Sequence, residues 1–237
     1  DHDLDGELAA LAGRRAGGGV PLVVTGSVGR DLSAGLAAAI LAATPARPWD
    51  VLDADDGPPD LDRLGATLRG GVTPGVIATA GSLRDLLDAL THGPGALPED
   101  AARRLGVVLV VAPGPRGLRV DAAHYLRPTE RDASGHLQRR PPAVLAARDP
   151  GTGALEHYAW GITAELGDAV DRSARDLEAR QAERALLLAR VAALPRTDRA
   201  VALAEAIAAE PAPEPAGHDR PGARPGARNP LTDPHRH

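Results

Sequence analysis

The sequence predicts an α/β fold: a parallel sheet with helices between its strands, then an antiparallel ribbon and C-terminal helices. Three observations predict it. Apolar runs of strand length alternate with helix-period segments through the first half of the chain. The run 107–111 is apolar throughout, as a strand covered on both faces of a parallel sheet must be. Beyond Pro113-Gly114-Pro115 the strand-like segments follow one another with turn residues between them, the pattern of antiparallel pairing.

In order, residues 20–25 form the first strand and 33–43 the first helix, with Leu36, Ala39, Ile40 and Ala43 on one face. Residues 49–53 form a second strand, 61–68 a short helix and 75–79 a third strand. Residues 82–90 are a helix capped by Ser82 with Asp85 three positions on, and 107–111 is the fourth strand. The ribbon takes 118–126, 143–147 and 155–160, with the turn Asp149-Pro150-Gly151-Thr152-Gly153 between the last two. A helix over 171–194 carries Ala174, Leu177, Ala185, Leu188 and Val191 at three- and four-residue spacing, and Pro195 separates it from a helix over 197–209. The tail beyond Glu210 is rich in Pro, Gly, Arg and His, with the tandem Pro221-Gly222-Ala223-Arg224 and Pro225-Gly226-Ala227-Arg228, and is expected to be disordered. The organisation is therefore a lead-in (1–19), an α/β core with its ribbon (20–160), a helical segment (161–210) and the tail (211–237).

Composition narrows the function. The 237 residues suffice for one substantial core, built from Ala, Leu and Val because the chain has no Phe and no Met and only two Trp and two Tyr. Aromatic stacking on bases is thus a poor prospect, and a formal charge of −5 with acids and arginines interspersed leaves no basic footprint for nucleic acid. No cysteine is present for disulfides or thiolate metal sites. Neither a signal peptide nor a membrane-length apolar run is found, so a cytoplasmic protein is expected. The chain starts at Asp1 without a methionine, and a targeting segment ahead of it would not be visible.

The chemistry-bearing segment is LVVTGSVGRDLSAGLAAAIL (22–41), a buried strand, a glycine-containing turn and an apolar helix. That layout cradles phosphate when it carries G-x-x-x-x-G-K-[ST], because backbone N–H groups at a helix N-terminus converge on the oxygens and the lysine neutralises them. Here Gly26 and Ser33 stand at the first and last positions, while Asp31 and Leu32 replace the second glycine and the lysine. Losing a charge-assisted hydrogen bond of roughly 1.5–3 kcal/mol weakens phosphate binding by about one to two orders of magnitude, and a carboxylate at position 31 repels it further. Gly26, Gly29, Arg30 as substitute cation and Ser33 as hydroxyl form the degenerate nucleotide loop. ATP and magnesium are the cofactors if residual binding survives, and none is otherwise expected. Asp53, with Asp55 and Asp56 at the end of the second strand, is either a metal ligand or part of a solvated turn. His124, Tyr125, His157, Tyr158 and Trp160 read as ribbon packing, and tail residues His218, His235 and His237 lack the spacing of a metal site.

Residues 20–210 resemble the secretion ATPase superfamily that drives type II secretion, type IV pili and the archaellum, its archaeal branch above all. The loop around Gly26 is similar to that family's phosphate loop, residues 75–111 to its histidine-box segment, RDPGTGALEHY (148–158) to a late turn, and 173–210 to its closing helices. The resemblance implies a truncated RecA-like P-loop core. It also implies losses. Thr79 stands where the family's box carries histidine, and between Asp56 and Gly75 there is room for one short helix where the family places a further strand and its Walker B carboxylate. The domain that precedes the loop in that family has no counterpart in this chain. The expectation is a catalytically degenerate, non-hydrolysing scaffold or regulator of a secretion or type IV filament assembly, partnered by an active secretion ATPase or a membrane assembly platform. Two alternatives remain. One is a divergent but active NTPase using Arg30, Ser33 and Asp53; residues 25–30 and the Asp-Ala-Asp at 53–55 also resemble the partition and septum-placement ATPases. The other is an interaction module with no nucleotide history.

Overall fold

The computed structural model describes residues 20–42, 49–70, 73–92, 95–114, 117–132, 134–168 and 174–195, with positions 9, 12, 198, 201–203 and 205. Most of the lead-in, most of the expected 197–209 helix and the whole tail lie outside the described residues, and with them His218, His235 and His237.

The apolar runs become strands β1 (Leu22–Gly26), β2 (Trp49–Asp53), β3 (Thr73–Ala78) and β4 (Val107–Gly114), separated by helices α1 (Arg30–Ala42), α2 (Pro58–Gly70), α3 (Leu83–Thr91) and the short α4 (Glu99–Ala102). The ribbon follows as β5 (Gly117–Tyr125), β8 (Ala143–Arg148) and β9 (Leu155–His157), and a small hairpin, β6 (Glu130–Arg131) with β7 (Leu137–Gln138), interrupts it. Helices α5 (Thr163–Asp168) and α6 (Ala174–Ala193) follow, and the described positions 201–203 and 205 are helical too. The third ribbon strand ends at His157, three residues before the expected 160, because the chain turns into a 3-10 helix over Ala159–Ile162.

Seven strands form one mixed sheet in the order β2-β3-β1-β4-β5-β8-β9. The first four are parallel, and the rest pair antiparallel. Right-handed crossovers dictate where the helices go. β1 connects outward past β3 to β2, whereas β2 to β3 and β3 to β4 run back the other way, so α1 covers one face and α2 and α3 the other. The buried clusters agree: Leu36, Ala37, Ile40 and Leu41 of α1 pack with Leu22, Val24 and Leu109, and Leu61, Leu64, Leu86 and Leu90 pack with Val23, Val76 and Val108. Val108 and Leu109 are both fully buried on opposite faces, which is why their strand reads as apolar without alternation. Leu166 of α5 joins the first cluster and extends it over the ribbon residues Leu118, Val120 and Leu145.

Local signals explain the element ends. Ser82 caps α3, its Oγ accepting from the Asp85 N–H (3.2 Å) and donating to the Asp85 carboxylate (2.7 Å). In the 149–153 turn, Asp149 Oδ1 accepts from the N–H groups of Gly151 (2.8 Å) and Thr152 (2.6 Å), and these bonds hold its carboxyl below its ordinary pKa, the Thr152 N–H contributing most. α1 begins at Arg30, three residues before expected, because the Gly29 carbonyl accepts from both Leu32 N (3.0 Å) and Ser33 N (3.2 Å) and so starts the helix inside the loop. No described helix is long and apolar enough to cross a membrane.

Candidate functional site

Ligands of open α/β sheets gather where neighbouring strands send their chains to opposite faces. Here that place lies between the C-terminal ends of β1, which leads to α1, and β3, which leads to α3. Three segments meet there: the Ser27–Gly29 loop with the first turn of α1, the 3-10 turn Ala54–Asp56 after β2, and residues 78–80 after β3.

Hydrogen bonds tie the three together. Thr25 Oγ1, at the buried end of β1, donates to the Ala80 carbonyl (2.7 Å). Asp53 Oδ1 caps the 3-10 turn by accepting from Asp55 N (2.9 Å), and Asp55 Oδ2 accepts from the Thr79 N–H (2.9 Å). Arg30, the first residue of α1, reaches across to the same turn: its Nε lies 2.9 Å from Asp53 Oδ2 and its Nη2 3.0 Å from Asp56 Oδ1. The substitute cation and the candidate metal ligand are therefore partners of each other.

The electrostatics follow from that placement. Burial pushes the Asp53 carboxyl above its ordinary pKa, outweighing the Asp55 N–H and the Arg30 charge that favour its ionised form, with the carboxylates of Asp56 and Asp55 adding to the rise. The Arg30 guanidinium is raised, chiefly by its hydrogen bond to Asp56. Val28, Arg30, Ser33, Asp53, Asp55 and Thr79 line the cleft between the segments, and they close on it so that no water molecule fits. Ser33 is 2% exposed; its hydroxyl has no hydrogen-bond partner among the described residues.

No protein-family model matches the chain, and no curated protein does.

The residues of the cleft do not fit a nucleotide phosphate with magnesium. The chain has no lysine, the one arginine at the site among the described residues is held by two carboxylates, and the cleft has no room for a water molecule. Among the described residues no group of three or more His, Asp or Glu side chains is arranged to hold a metal; Asp53 spends one oxygen on Arg30 and the other on the Asp55 N–H. The two glycines of the loop differ. Gly26 has φ +154°, and a Cβ on it would lie 1.8 Å from the Val111 carbonyl oxygen, so the close pairing of β1 with β4 requires glycine there whatever the loop binds. A Cβ on Gly29 would meet nothing within 4 Å.

The structure brings Arg30, Ser33, Asp53, Asp55 and Asp56 together and leaves the ribbon residues apart from them. Tyr125 is buried in the core, His124 faces Val144 across the strand pair with its pKa lowered by burial, and Tyr158 donates to Glu156 (2.5 Å). Thr25 is the residue that sequence reasoning passed over. A hydroxyl one residue before the end of an otherwise apolar buried strand was the available signal.

Proposed function

We propose that the protein is a non-hydrolysing scaffold or regulator whose nucleotide-type loop serves structure rather than phosphate transfer. The observation that carries this is the engagement of Arg30 by Asp53 and Asp56, which removes the one cation among the described residues of the site that could replace the missing lysine. Phosphoryl transfer depends on positioning plus neutralisation by cations and metal. At this site the acids outnumber the cation, and β3 ends at Ala78 and runs on into Thr79-Ala80 without a carboxylate.

The resemblance to secretion, pilus and archaellum ATPases gives the reading its biological setting: a degenerate RecA-like relative acting within a secretion or type IV filament assembly, beside an active ATPase or a membrane platform. Two features support it. The sheet continues from β4 into an antiparallel ribbon and closing helices rather than a further parallel strand, and 57–72, where that family has a further strand, is occupied in its described part by a single helix.

The test is phosphate release by the purified chain with ATP and magnesium, beside Ser33→Ala. The proposal expects both to match the protein-free blank. Magnesium-dependent hydrolysis lost on Ser33→Ala would replace it with the reading of a divergent active NTPase.

A further inference from the structure

We propose that Asp53 and Asp56 are built-in anions: they hold the cleft shut by occupying Arg30, and their charge, not the backbone of the loop, is what keeps external oxyanions out. The inference rests on the reading of the cleft as closed and goes one step further, naming the closing element and stating that it is removable.

Three observations converge. The first is the geometry of the pairs, 2.9 Å and 3.0 Å from two different guanidinium nitrogens to two different carboxylates, which uses Arg30 as an oxyanion would use it. The second is Ser33. A hydroxyl this buried normally has a partner, yet that of Ser33 has none among the described residues and it lines the cleft at the start of α1. The third is the helix terminus itself: the 13-residue α1 starts at the cleft, and among the described residues the only first-turn N–H groups engaged are those of Leu32 and Ser33, both on the Gly29 carbonyl. Donors for an oxyanion are thus assembled, and the chain supplies the negative charge itself from the turn after β2.

The internal anions win by proximity. A carboxylate fixed at hydrogen-bond distance competes at an effective concentration far above that of a free ion. Asp31 in the first turn of α1, and Asp55, whose Oδ2 accepts from the Thr79 N–H, add repulsion without forming an ion pair with Arg30 among the described residues. Neutralising Asp53 and Asp56 while keeping their shape should therefore release the guanidinium without dismantling the turn.

The experiment titrates inorganic phosphate into the wild-type chain, Asp53→Asn/Asp56→Asn, and the same double variant carrying Arg30→Ala, with thermal melts to establish folding. The double variant is expected to bind phosphate at least about tenfold more tightly than wild type, and the added Arg30→Ala is expected to abolish the gain. Asp56 is mostly exposed, so Asp56→Asn alone provides a folded variant if the double one does not fold, with an expected gain of a few-fold. No gain in either variant overturns the proposal. So does equally tight binding by wild type, or a gain that survives Arg30→Ala. These outcomes are separate from wild-type ATP hydrolysis, which would instead overturn the scaffold reading.

Discussion

Replacing Gly26 by alanine separates a structural glycine from a phosphate-binding one. The residue pairs with Val111 at the end of β1, and an added Cβ would sit 1.8 Å from the Val111 carbonyl oxygen and 2.9 Å from its Cγ2. Ordinary contact begins near 3.4 Å, so β1 and β4 must part by well over an ångström in the middle of the sheet. Overpacking of this kind costs about 1–3 kcal/mol, and the φ of +154°, disfavoured for a residue with a side chain, adds about 1–3 kcal/mol. The expected loss is about 2–6 kcal/mol, or a fall of roughly 4–24 °C in Tm for a chain of this size. Gly29→Ala, where the Cβ enters open space at ordinary φ, should change stability by less than about 0.5 kcal/mol. Urea unfolding monitored by circular dichroism measures both. A Gly26→Ala protein as stable as wild type, or a Gly29→Ala loss exceeding that of Gly26→Ala, would mean that the close approach of β1 to Val111 does not require glycine.

Ser82→Ala removes the α3 cap and should cost about 0.5–2 kcal/mol in urea unfolding; no change would mean that the cap bonds do not contribute in solution. The Asp149 carboxyl is depressed in the folded chain by the Thr152 and Gly151 N–H bonds, so its contribution is present above the unfolded pKa near 3.8 and is lost as pH falls through the folded value. Asp149→Ala should therefore destabilise at pH 7 and converge on wild type in acid, which melts across pH 2–7 will show. Asp53 has the opposite sign. Its folded pKa is raised by burial, so its contribution is complete below about 3.8 and is lost as pH rises through the folded value. Asp53→Asn should thus be at least as stable as wild type at pH 7, with its relative advantage shrinking on acidification; a large loss at pH 7 would show that the attraction of Arg30 outweighs burial.

The parallel half of the fold was legible because burial on both faces leaves an unmistakable trace. VVLVV at 107–111 and LVVTG at 22–26 have no room for polar alternation. The β6–β7 hairpin was not, since two-residue strands with Glu130, Arg131 and Gln138 exposed carry no periodic signal. Helix α1 began earlier than its apolar stripe because Arg30, Asp31 and Leu32 are exposed and the start is set by the Gly29 carbonyl, a backbone event. At the site, Arg30 and Asp53 were each visible as candidates, one as a stand-in for lysine and the other as a metal ligand. Their pairing was not visible, because it depends on how the turn after β2 reaches across the end of β3 to the loop after β1. Spacing along the chain cannot report that, and only the sheet order makes the two residues neighbours.

Isothermal titration of the wild-type chain with ATP and magnesium, beside Arg30→Ala, tests the closed cleft most directly. A closed cleft gives no binding heat for either protein at millimolar nucleotide. Micromolar binding by wild type that is lost in Arg30→Ala would contradict it, and would make Arg30 a nucleotide ligand.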